Sequence, residues 1–363
     1  MRILAINPGS TSTKIACGDG REKFFEDNLP FTEADRAKFP TILDQLETRF
    51  EQIAAALDRA GISASSFDAV VGRGGLLAPI PSGTYTVCGA MEDYLRRAPR
   101  GEHASNLGAF LSDRFAELSG CPAFIVDPVS VDELSDVARI SGAPEIERPS
   151  LVHALNQKAV ARDVAAKLGK RYEDCRFIVA HLGTGITIGA HTGGRIVDVV
   201  GAKSDGPFSP ERAGGLPADK LADLCFSGKY TQEELEKKLL SGWGLVAYLG
   251  TRDLRGAFRL AERDERAATV IKAFAYQIAK GVGELAAALD GDIDAVILTG
   301  GLAQSQRFMD MLVKKIKFLG RIEIVPGEDE MKALTLGALR VLNGEERAKD
   351  YVESCAKQRH HNT

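Results

Sequence analysis

The sequence has few of the features that mark membrane, secreted or nucleic-acid-binding proteins. Its six cysteines are scattered, without a CxxC pair or a Cys/His cluster at zinc spacing. No apolar run approaches the ~20 residues of a membrane span, and the N-terminus turns polar too early for a signal peptide. A formal net charge of -4 gives no basic excess for nucleic acid. We expect a cytoplasmic protein with core thiols that binds neither membranes nor nucleic acid.

Length and composition predict two domains. The chain has 363 residues, more than one hydrophobic core usually spans, and its 44% apolar content can fill two cores.

Two segments of the chain repeat the same plan of three short strands. Residues 2–29 contain the apolar runs RILAI, TKIAC and REKFFEDNL, and residues 176–200 contain RFIVAHL, ITIGAH and RIVDVV, each closed by turn-forming residues. The two copies align at a constant offset of 174 without gaps. This indicates a duplicated domain, although coincidence stays open. The matched pairs are Asn7 with His181, Gly9 with Gly183, and Gly20 with Gly194.

Helices and buried strands alternate elsewhere. The periodicity of residues 41–61 predicts an amphipathic helix, and a second helix is predicted from Ser150 as N-cap to Gly169. The runs FDAVVG, PAFIVDP and DAVILTGG are typical of buried strands. We predict two α/β domains that face a cleft.

The turn NPGSTSTK carries several groups that bind anions: hydroxyls, an amide, an ammonium group and backbone N–H groups. It is neither a Walker loop nor a GxGxxG turn, and a simple hairpin turn is the alternative. The second turn, HLGTG, favours a polyphosphate held from two sides. Paired glycines in VILTGG would let a ligand approach the backbone, although such turns are common.

Charged residues at strand and helix ends are further candidates. Arg73 is either an anion clamp or a solvated surface side chain. Asp127 follows a buried strand, where its carboxylate would project beyond the sheet. His153 lies in the first predicted helical turn, as an anion-binding or a capping residue. Arg255 is either a site residue or a surface side chain that forms an ion pair. The acidic run 328–330 suits either a helix start or Mg²⁺.

Taken together in chain order, nine segments resemble the motifs of butyrate kinases. They also resemble, more distantly, acetate kinases and the superfamily of actin, Hsp70 and sugar kinases, over essentially the full length. The segments are INPGSTSTKIA, VGRGG, HASNLGA, VDPVSVDEL, HALNQKAVAR, HLGTGITIGAH, GPFSPERAGGLP, LTGGLAQS and PGEDEMKALTLGALRVL.

The resemblance implies two duplicated actin-like (ribonuclease H-like) domains with the active-site cleft between them. It implies reversible phosphoryl transfer from ATP to a short-chain carboxylate, giving an acyl phosphate and ADP, with Mg²⁺ and as a homodimer or higher homo-oligomer. An acetate or propionate kinase and a non-catalytic ATP-binding switch of the actin or Hsp70 type are the alternatives. The acyl preference, the physiological direction and the oligomeric state are not fixed by the sequence.

The resemblance also assigns roles to residues. Arg73 would hold the carboxylate and the transferring phosphoryl group, Asp127 would orient the reactants, and His153 and Arg255 would neutralise the transition state. Asn7 and Glu330 would serve Mg²⁺, with Glu328 and Asp329 as alternatives to Glu330. The nucleotide would contact Asn7, Ser10, Ser12, Lys14, His181, Gly183, Thr184, Gly185, Gly300 and Gly301.

The resemblance also implies domain limits and an acyl preference. Residues 1–149 with 332–363 would form the acyl-binding and phosphate-binding lobe, and residues 150–331 the nucleotide-binding lobe. Val152 and Gly75 replace a Phe and a Val of acetate kinases, which would widen the acyl pocket and favour butyrate, isobutyrate or valerate. Butyrate kinases often carry Phe at the first position, and Gly where Thr184 stands.

Overall fold

Separate hydrophobic cores divide the chain into two units. The computed structural model describes residues 1–20, 22–201 and 203–361. The first unit comprises Met1–Asp132 and the C-terminal segment from Asp329, and the second comprises Glu133–Glu328. Arg21, Ala202, Asn362 and Thr363 lie outside the described residues, so the first residue of the predicted third strand and the end of the predicted 332–363 segment are not addressed.

The first unit is built on a six-stranded mixed sheet of order β3-β2-β1-β4-β6-β5. Strands β1, β2 and β3 form an antiparallel meander, β1, β4 and β6 run parallel, and β5 pairs antiparallel with β6. Numbered along the chain, the strands are β1 Ile3–Pro8, β2 Ser12–Gly18, β3 Lys23–Pro30, β4 Ala69–Arg73, β5 Thr84–Thr86 and β6 Ala123–Val126.

Helices cover the sheet of the first unit. Side chains of α2 and α4, such as Ile53 and Phe115, share a core with Leu4 and Ile6 of β1, while Gly337 of α13 packs against Val126 of β6. The helices of this unit are α1 Glu33–Arg36, α2 Leu46–Arg59, α3 Gly89–Arg97, α4 Leu107–Ser119, α13 Glu330–Leu342 and α14 Tyr351–His361, with short 3₁₀ helices Leu43–Gln45 and Ala104–Asn106.

The second unit has a five-stranded mixed sheet of order β11-β10-β7-β8-β9. Strands β7, β8 and β9 form an antiparallel meander, and β7, β10 and β11 run parallel. The strands are β7 Phe177–Leu182, β8 Ile186–Thr192, β9 Arg195–Gly201, β10 Ala295–Gly300 and β11 Ile322–Pro326.

Two cores form around the second sheet. One joins Phe274 of α11 and Phe308 of α12 to Ile178 of β7, and the other joins Val164 of α6 to Val179. The helices are α5 Asp136–Arg139, α6 Ala154–Lys167, α7 Ala218–Cys225, α8 Gln232–Lys237, α9 Leu245–Leu249, α10 Leu254–Ala261, α11 Glu265–Ala287 and α12 Gln306–Ile316. Shorter elements are the 3₁₀ helices Tyr172–Asp174, Gly301–Gln304 and Lys317–Leu319, and a π-helical turn at Lys238–Gly242.

The predicted fold class is confirmed, because both units carry a mixed sheet flanked by helices, opened by the same antiparallel meander. The constant offset is confirmed for the first two strands of each meander, because the bounds of β1 and β7 and those of β2 and β8 differ by 174. It is wrong for the third strand, since β3 begins at Lys23 and β9 at Arg195, 172 positions apart. The pairing register also shifts by one residue, because Pro8 pairs with Thr13 whereas Leu182 pairs with Ile186.

Two local predictions are also corrected. The helix predicted from Ser150 begins at Ala154, with His153 at its N-cap. The expectation of core thiols is met by Cys17 and Cys175, which are buried, but is wrong for Cys225, which is exposed on α7. Within the described ranges, no helix has the length and apolar character needed to cross a membrane.

Candidate functional site

Asn7, Arg73 and Glu330 form a polar cluster in the first unit. Arg73 Nη1 lies 3.0 Å from Glu330 Oε1 and donates a hydrogen bond of 3.4 Å to Asn7 Oδ1. Asn7 Nδ2 donates to Glu330 Oε2. The side chains of Arg73 and Glu330 are 22% and 17% exposed, so this cluster is partly open to solvent. It combines a cation with carboxylate and amide oxygens.

The topology explains why these three residues meet. Asn7 and Arg73 stand near the carboxyl ends of β1 and β4, which are parallel neighbours. Glu330 is the first residue of α13, whose N-cap is Asp329. The helix packs against both strands, and this places its N-terminus at the same edge of the sheet.

The contacts of the acidic run 328–330 distinguish its three members. Asp329 accepts from Lys332 N as the cap of α13 and pairs with Lys23. Glu328 belongs to the second unit, where its Oε1 lies 3.2 Å from His181 Nε2. Among these three acids, Glu330 is the one that contacts Asn7. No group of three or more His, Cys, Asp or Glu suited to a metal occurs among the described residues. Since Mg²⁺ needs few protein oxygens when phosphates and water complete its shell, Asn7 and Glu330 fit that ion.

Close packing of the β4 backbone against α4 fixes the position of Arg73. A Cβ atom on Gly72 would lie 2.2 Å from Gly108 O, and one on Gly108 would lie 2.1 Å from Arg73 O. Only glycine at both positions allows α4 to approach the end of β4 so closely.

The prediction that Gly75 widens an acyl pocket is wrong. A Cβ atom on Gly75 would lie 2.6 Å from Asn106 Cα and 2.5 Å from Asn106 Oδ1. Asn106 is itself fixed, because its Oδ1 accepts a hydrogen bond of 2.8 Å from Leu76 N. The side-chain space at position 75 is therefore filled by the protein.

His103 is a candidate that the sequence analysis did not select. The pKa of its imidazole is lowered, first by partial burial of the ring and then by the positive charge of Arg73. The residue opens the segment HASNLGA and caps the short helix Ala104–Asn106. Its only signal in the sequence was a lone histidine ahead of a helical segment.

Asp127 lies just beyond β6, as predicted, but its side chain is only 3% exposed. Its Oδ1 accepts a hydrogen bond of 2.7 Å from Gly83 N, and its own N–H donates to Gly83 O. The backbone of Asp127 has a φ of 38°, a conformation that few residues other than glycine, Asn and Asp adopt. Its carboxylate is thus held by the protein rather than projecting freely.

The first turn presents its side chains more than its backbone. Gly9 N donates to Ser12 O at 2.7 Å, so this N–H closes the turn instead of facing an anion. Ser10 and Lys14 are exposed, and Lys14 stands opposite Asn7 in the β1–β2 ladder.

In the second unit, two histidine rings stack. His153 and His181 have ring centroids 4.0 Å apart and planes inclined by 15°. His181 is buried at the end of β7, with Nδ1 2.8 Å from Asn156 Oδ1. His153 Nδ1 lies 2.8 Å from Thr187 Oγ1. The two rings thereby join the end of β7 to the N-terminus of α6.

The second turn is closed in the same manner as the first, since Gly183 N donates to Gly185 O at 3.2 Å. Ser209 Oγ donates to Thr184 O at 2.6 Å. A Cβ atom on Gly185 would lie 2.5 Å from Arg212 Nη1, so a guanidinium lies directly on this turn. Burial lowers the pKa of Arg212, partly offset by Glu211. Arg212 was missed because nothing within GPFSPERAGGLP itself predicts this long-range contact.

Gly300 and Gly301 have different structural roles. Gly300 has a φ of 90°, and a Cβ atom there would lie 2.6 Å from Leu182 O, so this glycine is required by packing on β7. A Cβ atom on Gly301 meets nothing within 4 Å, which leaves space for a ligand. Gly327 N donates to Gly300 O at 3.0 Å, and this ties the loop after β11 to the end of β10.

Arg255 does not join the histidine pair. It lies on α10, two residues after the N-cap Asp253, and its side chain is exposed. A cavity of about 720 Å³ elsewhere in the second unit is lined largely by apolar side chains, including Leu221, Trp243 and Val270. Its lining contains none of the predicted site residues.

A family profile decides the relationship of this chain. The profile of the acetokinase family matches residues 148–343. The chain belongs to the acetokinase family. The matched part of the chain contains His153, His181, Gly301 and Glu330, whereas Arg73 lies outside it.

Solved structures extend the likeness over nearly the whole chain. Acetate kinase from Porphyromonas gingivalis shares 19% sequence identity with a TM-score of 0.76, over 94% of this chain and 99% of that chain. A propionate kinase from Francisella tularensis subsp. tularensis SCHU S4 shares 18% with a TM-score of 0.72, over 92% and 98%. Acetate kinase from Entamoeba histolytica shares 15% with a TM-score of 0.75, over 93% and 98%. At these identities the likeness establishes the fold.

Proposed function

We propose that this protein transfers the γ-phosphoryl group of ATP directly to a short-chain carboxylate. The products are an acyl phosphate and ADP, and the reverse direction forms ATP. The observation that supports the proposal is the contact of Arg73 with Asn7 and Glu330, because a guanidinium, which is able to bind a carboxylate, lies there beside an amide oxygen and a carboxylate.

The reaction needs charge neutralisation rather than a strong base. A short-chain acid with a pKa of about 4 to 5 is ionised at pH 7, so its oxygen is already a nucleophile. The obstacle is repulsion between that carboxylate and the polyphosphate. Positioned cations and hydrogen-bond donors lower this barrier without covalent chemistry.

We assign roles by unit. In the first unit, Arg73 binds the carboxylate, and Asp127, whose own carboxylate accepts from Gly83 N, is assigned as a positioning residue for the reactants. In the second unit, His153 donates a hydrogen bond to the phosphoryl group, and an arginine neutralises it. Arg212 is a stronger candidate for that arginine than Arg255, because Arg212 lies on the glycine turn. The nucleotide-binding residues are those expected from the motifs, with Gly301 as the open position.

Asn7 and Glu330 would hold Mg²⁺, with nucleotide phosphates and water completing its shell. When bound, the ion withdraws charge from the phosphate oxygens. The ion pair with Arg73 holds the carboxylate of Glu330 in place beside Asn7.

The proposed acid is a four- or five-carbon one, such as butyrate, isobutyrate or valerate. Because the space at Gly75 is filled by Asn106, the preference rests on Val152, which is smaller than the Phe of acetate kinases and is buried before α6. Each methylene accommodated is worth about 0.8 kcal/mol. We also propose a homodimer, which light scattering of the purified protein would test.

Trapping with hydroxylamine tests this function. The purified protein is incubated with Mg-ATP, hydroxylamine and acetate, propionate, butyrate, isobutyrate or valerate, and hydroxamate is measured. The proposal predicts acid-dependent hydroxamate that peaks at four or five carbons. A peak at acetate or propionate would contradict the acyl preference alone. Nucleotide binding without hydroxamate for any acid would contradict the kinase and favour an ATP-binding switch.

A further inference from the structure

A chain of hydrogen bonds, buried as far as Thr187 and partly buried at its end, leads from the core of the second unit to His153. It runs from Tyr172 through His191, Gln157 and Thr187 to the ring of His153. We propose that Thr187, held by Gln157 and His191, is a positioning residue that keeps the proton of neutral His153 on Nε2. The catalytic meaning of this assignment rests on the proposed function, in which Nε2 faces the phosphoryl group.

The direction of each hydrogen bond can be derived from a backbone carbonyl. Thr187 O can only accept, so the Gln157 group 3.0 Å away from it must be the Nε2 amide. The same amide nitrogen has a second hydrogen, which points to Thr187 Oγ1 at 3.0 Å. Gln157 Oε1 therefore faces His191 Nε2 at 3.0 Å, and that ring nitrogen must donate.

The hydrogen of the Thr187 hydroxyl can then point in only one direction. Its oxygen accepts from Gln157 Nε2 and, at 3.3 Å, from the backbone N–H of His153. Both lone pairs are used, so its single hydrogen points to His153 Nδ1 at 2.8 Å. Because Nδ1 accepts this bond, the proton of a neutral imidazole resides on Nε2.

Two features fix the far end of the chain. His191 is fully buried, and desolvation, followed by the charge of Lys158, lowers its pKa to about 3. The neutral ring donates from Nε2 and accepts from the Tyr172 hydroxyl at 2.8 Å. A Cβ atom on Gly189 would lie 2.5 Å from Gln157 Oε1, so glycine at this position leaves room for the bond to His191.

The arrangement has a chemical consequence for His153. With Nδ1 occupied, the ring presents an N–H donor at Nε2 and no acceptor at either nitrogen. Such a donor can stabilise charge that develops on a phosphoryl oxygen. Without the Thr187 hydroxyl, the proton would be shared between the two nitrogens, and part of the population would present a lone pair instead.

Long-range ¹H–¹⁵N correlation spectra of histidine side chains test the proposal directly. The full chain is labelled with ¹⁵N and recorded at pH 8, and the His153 signals are assigned with a His153→Gln variant. The wild type is expected to show Nδ1 unprotonated and Nε2 protonated. Thr187→Val should give a mixed population with Nδ1 protonated, and Thr187→Ser should restore the wild-type pattern.

Kinetics are measured on the same proteins. Thr187→Val should lower kcat by on the order of 10- to 100-fold, with the KM for ATP changed less than about twofold. Thr187→Ser should recover most of the loss. Thr192→Val makes the same substitution at a half-buried site on the same strand and should change neither readout. Gln157→Leu should shift the protonation pattern in the same direction as Thr187→Val.

The outcomes separate this proposal from the proposed function. A wild-type His153 protonated on Nδ1, or a Thr187→Val spectrum identical to wild type, would overturn the assignment. So would a loss of kcat without a change in protonation pattern. If the wild type makes no acyl phosphate and the spectra still depend on Thr187 as expected, the tautomer assignment stands and the proposed function fails.

Discussion

Gly75 and Asn106 are packed so closely that no side chain fits between them. A Cβ atom on Gly75 would lie 2.6 Å from Asn106 Cα, a backbone atom that cannot swing aside. The glycine is therefore explained by the approach of two chain segments, and any acyl preference must arise elsewhere.

Gly75→Val tests this explanation. Because the added methyl groups overlap Asn106, we expect a loss of stability of about 1 to 3 kcal/mol or more, measured by urea unfolding. Gly89→Ala is the control, since a Cβ atom there meets nothing within 4 Å, and it should change stability by less than about 1 kcal/mol. A stable Gly75→Val protein that prefers acetate would instead restore the pocket interpretation.

Glu330 and its neighbour Asp329 should differ in their effect on magnesium. Glu330→Gln weakens an oxygen ligand beside Asn7, so the Mg²⁺ concentration for half-maximal activity should rise at least about tenfold. Asp329→Asn keeps a capping side chain on α13 and should leave the Mg²⁺ dependence unchanged. If the Mg²⁺ concentration for half-maximal activity rises equally in Glu330→Gln and Asp329→Asn, Glu330 has no special role in binding Mg²⁺.

Arg212 and Arg255 are the two candidates for the arginine that neutralises the phosphoryl group. Arg212→Ala removes the guanidinium that lies on Gly185 and should lower kcat by about 10²- to 10³-fold. Arg255→Ala removes an exposed side chain and should cost less than Arg212→Ala. Steady-state kinetics with saturating acid compare the two. A larger loss for Arg255→Ala would reverse the assignment.

His191 should make stability depend on pH below neutrality. Its pKa is about 3 in the folded protein, lowered by desolvation and Lys158 against the opposing charge of Glu133, with Arg162 a smaller lowering contribution. An unfolded histidine titrates near 6.5. Below pH 6.5, His191 therefore binds a proton in the unfolded state but not in the folded state. Stability falls as the pH drops from about 6.5 towards 3.

The size of this effect can be isolated by a variant. Between pH 6.5 and pH 5, the loss in the free energy of unfolding caused by His191 should reach about 2 kcal/mol, at 1.36 kcal/mol for each pH unit. Urea unfolding of wild type and His191→Asn at pH 7 and pH 5 measures it, because other titrating groups are common to both proteins. The wild type should lose more stability than the variant. Parallel pH profiles would mean that the pKa of His191 is the same in the folded and unfolded states.

Local pattern and chain order account for much of what the sequence predicted. The alternation of short apolar runs gave the strands β1, β2, β7 and β8, and the placement of Asn7 and Arg73 at strand ends followed from them. Contacts between distant residues were not accessible in this way. Asn106 lies 31 residues beyond Gly75, and Arg212 lies 27 residues beyond Gly185. The hydrogen bonds among Gln157, Thr187 and His191 likewise depend on how helix and strands pack.

The start of α6 illustrates a second limit. Ser150 is a good capping residue by type, yet the helix begins at Ala154 with His153 at the N-cap. The backbone N–H of His153 donates to Thr187 Oγ1, a residue 34 positions away. A tertiary partner thus fixed the helix start, and local capping propensity could not reveal it.

Transfer of ¹⁸O from the acid to phosphate tests the central claim most directly. Carboxylate-labelled [¹⁸O₂]butyrate is incubated with Mg-ATP, hydroxylamine and the protein, and the inorganic phosphate is examined by ³¹P NMR. If a carboxylate oxygen attacks the γ-phosphorus, it becomes the bridging oxygen. Hydroxylamine then attacks the acyl carbon, and the released phosphate carries one ¹⁸O atom. We predict singly labelled phosphate in amounts equal to the hydroxamate. Unlabelled phosphate would show that water attacks ATP and would contradict the account.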